Sequence, residues 1–169
     1  MNAIARYILI DPFNAVSSGV STYTAAVAAH LRALGVVTTV IAREASESLP
    51  VFRGRVAREV TAVAGPGLVV EAPESLHTTS ELPDGIALHI RLHGSRLFGN
   101  WLQGQAVDAV ALAAEQREIS RAQLLSAPSQ AAVAASRQLF RYPASVCCYP
   151  NPMPEIVASA QTEDVDLLF

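Results

Sequence analysis

Apolar residues follow two alternating patterns near the start of the chain. A short apolar run at residues 7–10 ends at Asp11 and Pro12, which predicts a buried first strand because proline cannot extend a hydrogen-bonded ladder. Apolar residues then recur at helical spacing over residues 21–34 and stop before a glycine, which predicts a helix. The β-branched run at 36–42 predicts a second strand and completes a strand–helix–strand unit.

The same alternation continues to residue 149. Residues 43–67 are irregular and fit either a strand or a short helix. Further strands are predicted at 68–72, 86–93, 124–127 and 145–149, and further helices at 101–121 and 129–140. Strands that alternate with helices are typical of a parallel sheet covered on both faces. The sequence therefore predicts an α/β fold with a Rossmann-like parallel sheet of about seven strands.

The composition changes after residue 149. Prolines occupy positions 150, 152 and 154, and a polar stretch follows, a pattern typical of a domain boundary. We interpret 1–149 as one Rossmann-like domain, 150–154 as a hinge-like segment and 155–169 as the start of a second domain. We expect the chain to be the first half of a longer protein, whose apolar residues at 167–169 allow some self-association.

Charge and composition exclude several classes of function. The net charge is −3 and no basic run occurs, which argues against a nucleic-acid partner. All twelve cationic side chains are arginine, so a Walker-type phosphate loop and Schiff-base chemistry, which both need lysine, are excluded. No apolar run approaches the ~18 residues of a membrane span and no signal peptide is evident. We expect a cytoplasmic protein with no transmembrane segment, at most peripheral to a membrane.

The only two cysteines, Cys147 and Cys148, are adjacent. They provide neither a disulfide framework nor a thiolate zinc site, and a reducing compartment is expected. In a strand they point to opposite faces, and their simplest role is as core residues.

Ser18 and Gly19 lie where the first strand connects to its helix. In a doubly wound sheet this connection meets ligands, because helix N-terminal N–H groups attract phosphate and a glycine lets the backbone approach it. A structural interpretation is equally open: Gly19 serves a tight turn, and Ser18 or Ser21 caps the helix. The dinucleotide fingerprint needs three glycines here, so a single glycine argues against NAD.

The alternating segment at residues 89–94 resembles a metal motif at first. In a strand His89 and His93 lie about 13 Å apart, too far to share one ion, and no metal site is predicted. His89 and Arg91 fit a hydrogen-bonded polar patch under a neighbouring element. His93 differs, because Gly94 ends the strand and leaves the imidazole at the carboxyl edge where a cleft is expected.

Four other polar residues have simple structural explanations. Glu74 follows a strand end, where a lone carboxylate is most often a surface loop residue. Glu115 and Glu118 lie three apart on one helix and fit a solvated face near Arg121. Ser129 begins a helix as an N-cap and is not in a hydrolase nucleophile elbow.

Together, several segments resemble the N-terminal half of a GT-B glycosyltransferase similar to family 4 of the retaining enzymes. They occur in that family's order and span most of the chain. The matching segments are 18–23 with 31–41, 91–95, Glu115 with 122–129, and 149–152. The resemblance implies a two-domain enzyme of hexosyltransferase type that moves a sugar from a nucleotide-sugar to an acceptor with retention, without metal ion or cofactor.

The resemblance also implies roles for individual residues. His93 would face the transferred sugar as a catalytic residue, Ser18 and Gly19 would line the donor diphosphate cleft, and Asn151 would lie near the hinge. Acceptor-side or cleft candidates are Glu74, Ser95, Arg96, Glu115 and Ser129.

The chain departs from that family in two ways. Ser18 replaces the first glycine of the usual pair, and the acidic donor-binding motif belongs to a C-terminal domain that this sequence lacks. We therefore expect the chain alone to be inactive. One alternative is a non-catalytic Rossmann-like ligand- or nucleotide-binding domain. Another is a NAD- or SAM-dependent domain, for which Glu44 lies one residue too late to close the second strand.

Overall fold

The computed structural model of the protein describes residues 4–13, 18–142 and 145–152. Within these residues strands and helices alternate along most of the chain. The six strands are β1 (Arg6–Asp11), β2 (Val37–Ala42), β3 (Leu68–Pro73), β4 (Ala87–Arg91), β5 (Leu124–Ala127) and β6 (Cys147–Cys148). The five helices are α1 (Gly19–Ala33), α2 (Leu49–Ala62), α3 (Arg96–Leu102), α4 (Ala109–Arg121) and α5 (Gln130–Ser136).

All six strands are parallel and form one sheet in the order β2-β1-β3-β4-β5-β6. The predicted Rossmann-like α/β fold is confirmed, with six strands among the described residues rather than about seven. β1 lies between β2 and β3, so the chain leaves β1 to one side and later returns on the other. This reversal is a topological switch point, and its carboxyl edge is where open α/β sheets bind ligands.

One face of the sheet carries the larger hydrophobic core. Ile8 of β1, Val70 of β3 and Ile90 of β4 are all buried on this face. Phe52, Val56 and Val60 are spaced four apart on α2 and present one apolar stripe to it, with residues of α4 and α5 packed beside them. That stripe explains why the segment left open between strand and helix folds as the helix α2.

The opposite face is covered by α1 and is partly polar. Tyr7 and Leu9 of β1 pack with Ala28 of α1 in a smaller apolar cluster. Glu71 of β3 and His89 of β4 lie directly opposite each other in the parallel register and are buried, although both are polar. Helices therefore cover both faces, but only one face is uniformly apolar.

The single helix predicted at 101–121 is two helices. Gly104 adopts a left-handed conformation (φ 67°) after α3, which most side chains disfavour and glycine accepts freely. Asp108 then caps α4 by accepting hydrogen bonds from the backbone of Val110 (2.8 Å) and Ala111 (3.1 Å). The spacing of apolar residues alone does not predict this interruption between α3 and α4. The helix predicted at 129–140 is likewise shorter, since α5 ends at Ser136.

Two predicted strands are shorter than expected. β4 ends at Arg91, not at 93. The Leu92 N–H still donates to the Ser126 carbonyl, but the N–H groups of His93 and Gly94 donate to the Glu74 carboxylate instead of to the sheet. β6 pairs with β5 alone at the edge of the sheet, and Cys147 and Cys148 are both exposed. Their predicted core position is wrong, because in the part of the chain that the structure describes no element buries this two-residue edge strand.

Candidate functional site

A small crevice, of about 10 Å³, lies at the carboxyl edge of the sheet, beside the switch point between β1 and β3. Helix α1 contributes its first two turns to this crevice, and the turn after β4 contributes His93. Strands β1 and β3 supply the rest of its wall. The lining residues are Leu9, Ile10, Val20, Tyr23, Thr24, Glu71, Ala72, Pro73 and His93. The predicted residue His93 therefore lines this crevice together with the first two turns of α1, whereas Ser18 and Gly19 are not among its lining residues.

Ser18 begins α1 as its N-cap. Its hydroxyl accepts a hydrogen bond from the Ser21 backbone N–H at 2.9 Å, and its carbonyl accepts one from Thr22 N–H at 3.0 Å. The proposed capping role of Ser18 is thus confirmed, and Ser21 is not the cap. The part of the connection at residues 14–17 lies outside the described residues.

Gly19 is the first residue of α1 and is exposed. It does not adopt a left-handed conformation, and a Cβ placed on it would meet no atom within 4 Å. The tight-turn explanation for this glycine is therefore wrong. No described group accepts a hydrogen bond from the N–H of Gly19 or Val20, as is usual for the first turn of a helix. These two donors are open to an anionic ligand.

His93 lies two residues beyond β4, with its imidazole packed edge-on against the Tyr23 ring at 4.8 Å between centroids. None of the described residues hydrogen-bonds to its ring nitrogens. Burial, and to a smaller extent the charge of Arg91, lowers the pKa of His93 to about 4. At neutral pH the imidazole is therefore uncharged and can exchange a hydrogen bond with a neutral hydroxyl.

Glu74 holds the turn that carries His93. Its carboxylate accepts hydrogen bonds from the N–H groups of His93 (2.9 Å) and Gly94 (2.6 Å) and is only 1% exposed. Burial raises its pKa, although these N–H groups act in the opposite direction. The prediction of a surface loop carboxylate is wrong, because the side chain points inward to satisfy a backbone turn. Its contacts position His93.

Tyr23 is oriented by a buried polar cluster. Its hydroxyl donates to Glu71 Oε1 at 2.7 Å, and the Tyr7 hydroxyl donates to Glu71 Oε2 at 2.6 Å. His89 Nδ1 lies 3.1 Å from the same Oε2, and His89 Nε2 lies 2.7 Å from Ser126 Oγ. Burial raises the pKa of Glu71, but the hydrogen bonds and charge of His89 and the two tyrosine hydroxyls outweigh it and lower the pKa. The carboxylate is therefore charged.

Arg91 connects this cluster to the segment after β6. Its guanidinium lies 4.4 Å from the Tyr23 ring centroid and 4.2 Å from that of Tyr149. Nη2 donates to the Tyr149 carbonyl at 3.0 Å and to Asn151 Oδ1 at 2.7 Å. The predicted hydrogen-bonded patch of His89 and Arg91 is confirmed. Asn151 is anchored to the sheet by Arg91, and its role near a hinge stays a prediction.

The acceptor-side candidates fall into separate places. Ser95 caps α3, with Phe98 N–H donating to its Oγ at 3.2 Å, and Arg96 next to it is exposed. Ser129 caps α5, as the structural interpretation predicts, through a 3.1 Å hydrogen bond from Ala132 N–H. It does not line the crevice at His93.

The predicted solvated face of α4 is wrong. Glu115 and Glu118 are 4% and 2% exposed. They turn inward against the segment that follows β3, where Glu118 Oε1 accepts hydrogen bonds from both N–H and Oγ1 of Thr79 at 2.6 Å. Burial raises the pKa of each carboxyl group to about 7.

Sequence reasoning missed Glu71, Tyr7 and Tyr23. One signal was present: Glu71 is a single acid inside an otherwise apolar strand, and a buried charge requires partners. The strand register then offers His89 as its neighbour. Tyr7 could not be assigned to it without knowing that β1 pairs with β3, and the contact of Tyr23 depends on how α1 docks on the sheet.

No helix in the described part of the chain combines the length and the apolarity needed to cross a bilayer. Among the same residues, no three His, Cys, Asp or Glu side chains are grouped closely enough to hold a metal ion. No protein-family model matches the chain, and a comparison with curated proteins finds no match.

Proposed function

We propose that this chain is the N-terminal domain of a retaining GT-B-type glycosyltransferase that transfers a sugar from a nucleotide-sugar to an acceptor. The observation that carries the proposal is the crevice at the switch point, where the first turn of α1 and the uncharged imidazole of His93 meet. The segments 18–23 and 91–95, which resemble the family, contribute Val20, Tyr23 and His93 to the lining of this crevice.

The start of α1 suits a diphosphate. In sugar transfer the bond between the anomeric carbon and a diphosphate oxygen breaks, so negative charge grows on the leaving group. Open N–H groups at Gly19 and Val20, aided by the helix dipole, stabilise charge at that position. The absence of a side chain on Gly19 lets a phosphate oxygen approach the backbone.

His93 suits the sugar. A neutral imidazole with no described hydrogen-bond partner on its ring nitrogens can bind a sugar hydroxyl without adding charge beside the electron-poor anomeric carbon. Glu74 fixes its backbone and Tyr23 packs against its ring, so little motion is needed to orient it. In this proposal the nucleoside and the acidic donor-binding motif belong to a C-terminal domain, with residues 150–154 as the hinge.

The test is a transfer assay on the two-domain protein and on the 169-residue chain. A panel of nucleoside-diphosphate sugars and hydroxylated acceptors is supplied without metal, and nucleoside diphosphate release and the anomeric configuration of the product are measured. We expect turnover with retention by the two-domain protein and none by the chain alone. Donor binding without turnover by the two-domain protein would instead support a non-catalytic ligand-binding domain.

A further inference from the structure

A second cavity, of about 340 Å³, lies beside α2, α3 and α4 and the segment that follows β3. It shares no lining residue with the crevice at His93. Its size lies in the lower part of the range of about 300–1,000 Å³ found for small-molecule sites. Its polar lining residues are Arg53, His77, Arg96, Asn100, Asp108 and Glu115.

Two arginines give the cavity a cationic side. Arg53 on α2 is held in place because its Nε and Nη2 both donate to the Leu76 carbonyl, at 3.1 Å and 2.8 Å. Arg96 is exposed, and the described residues offer its guanidinium no hydrogen bond or ion pair. A guanidinium without a protein partner at a cavity wall is a ready ligand for a phosphate or carboxylate.

Glu115 places a carboxyl group on the wall of the same cavity. The residue is 4% exposed, and no described group hydrogen-bonds to its Oε2. Buried oxygen atoms are normally satisfied, so a bare one at a cavity wall indicates a missing hydrogen-bond donor. Burial raises the pKa of Glu115 to about 7, and the charges of Glu74 and Glu118 also raise it, while the Ser95 hydroxyl lowers it. The carboxyl group is thus suited to a neutral polar donor such as a hydroxyl.

The segment that carries Leu76 and His77 has a strained backbone, and Arg53 hydrogen-bonds to it. Leu76 and His77 adopt left-handed conformations, with φ of 67° and 53°, although neither is glycine. Such conformations are costly for a leucine and persist where surrounding contacts impose them, often at ligand sites. Arg53 provides one such contact. His77 Nδ1 is also buried without a described partner.

We propose that this cavity binds a hydroxylated small molecule with one anionic group, a sugar phosphate or a sugar acid. The anionic group lies against Arg53 and Arg96, and a hydroxyl donates to Glu115. The inference rests on the proposed function in one respect: in a glycosyltransferase this ligand is the acceptor. The binding chemistry itself does not depend on transfer.

The test is ligand binding to the 169-residue chain, followed by titration calorimetry or chemical shifts. The probes are glucose 6-phosphate, glucuronate, glucose and inorganic phosphate. We expect the first or second probe to bind at least tenfold more tightly than glucose and than inorganic phosphate. Preference for glucose 6-phosphate identifies a phosphate ligand, and preference for glucuronate identifies a carboxylate ligand.

Three variants locate the site. Arg96→Ala and Glu115→Gln are each expected to weaken binding at least tenfold, whereas Arg141→Ala, an exposed arginine elsewhere, leaves it unchanged. Arg96 is exposed, so its replacement leaves the fold intact, and a thermal melt verifies this for each variant. Absence of saturable binding by both anionic sugars overturns the proposal. So does binding that is insensitive to Arg96→Ala and Glu115→Gln, or that glucose or inorganic phosphate matches.

The same variants separate this inference from the proposed function. If the anionic sugar binds but no donor is ever turned over, the cavity assignment holds and the transferase proposal fails. If transfer occurs and Arg96→Ala leaves the acceptor KM unchanged, the transferase proposal holds and the cavity assignment fails.

Discussion

The same strands present apolar side chains to one face of the sheet and a polar cluster to the other. On β4, Ile90 points into the uniformly apolar core under α4, while His89 and Arg91 point into the polar cluster under α1. The apolar face is filled by side chains that need only shape and burial. The polar face has specific partners at nearly every buried atom, and its hydrogen bonds lead to Tyr23 beside His93 and to Asn151 after β6.

The two faces of the sheet are therefore expected to contribute differently to stability and to the geometry of the crevice. Apolar burial contributes most of a domain's stability, whereas a buried polar network contributes little net free energy and mainly fixes geometry. We therefore expect truncation of side chains on the apolar face to lower stability, and removal of a single neutral hydrogen bond on the polar face to affect the crevice more than the fold. Substitutions on each face test this difference.

Ile90→Ala has the largest expected effect. Ile90 is fully buried, and its truncation leaves a cavity in the larger core, so the free energy of unfolding should fall by about 3 kcal/mol. Val110→Ala, at a side chain 80% exposed, is the matched control and should change it by less than about 0.5 kcal/mol. Chemical denaturation measures both. A small loss at Ile90 would show that the apolar face is not the main source of stability.

His93→Ala comes next, measured as activity of the two-domain protein. Loss of a hydrogen bond to the sugar in the transition state should lower kcat roughly 10²-fold, equivalent to about 3 kcal/mol. The melting temperature should barely change, since no described residue bonds to the imidazole nitrogens. His30→Ala, at an exposed histidine of α1, should leave kcat unaltered. A lower melting temperature with unchanged kcat would make His93 a structural residue.

Tyr23→Phe should have a smaller and mixed effect. It removes the hydrogen bond to Glu71, costing about 1 kcal/mol of stability, and loosens the ring that packs on His93. We expect kcat to fall several-fold with little change in KM. Tyr142→Phe removes a comparable 2.7 Å hydrogen bond, to the Val133 carbonyl, far from the crevice. If both variants lose the same stability and neither loses kcat, Tyr23 does not position His93.

The last contrast is the opposite pH dependence of two buried acids, Glu71 on the polar face and Glu118 on α4. The lowered pKa of Glu71 means that its contribution to stability is present above the unfolded value, near 4.3, and is lost as pH falls through the folded value. The pKa of Glu118 is raised to about 7, so its contribution is present below 4.3 and is lost as pH rises through 7.

Thermal melts between pH 3 and 8 test these signs. Glu71→Gln should be less stable than the unmodified protein at pH 7 and should converge with it in acid. Glu118→Gln should reduce the loss of stability between pH 5 and 8, and the part that remains is expected from Glu115. Parallel pH profiles for both variants would contradict the opposite environments of the two carboxyl groups.

Periodicity predicted the strands of the sheet well because buried strands leave apolar runs. β5 has the predicted bounds, and β1, β2 and β3 differ by one or two residues. Periodicity failed to predict the end of a helix or strand where a polar contact determines that end. Asp108 divides a predicted helix in two, and Glu74 ends β4 early by capturing two N–H groups. Such contacts join residues distant in sequence or compete with an apolar pattern.

The candidate site was predictable only in part. The strand predicted at 86–93 places His93 at the carboxyl edge, although β4 ends two residues earlier, and the position of Gly19 follows from a strand-to-helix connection. The inward orientation of Glu115 was not predictable, because the segment after β3 has no regular pattern and its packing against α4 buries that helix face. Helix-to-loop packing of this kind depends on the tertiary structure.

The most direct test of the proposed phosphate site at α1 is Gly19→Val in the two-domain protein. Valine at the first position of a helix, with open space around its Cβ, should leave the melting temperature nearly unchanged. It should nonetheless block the approach of a diphosphate to the backbone, and kcat/KM should fall at least ~10²-fold through lost charge-assisted hydrogen bonds. Ala29→Val, which adds a similar branch to the exposed side of α1, should leave kcat/KM unchanged. Full activity in Gly19→Val would contradict the account.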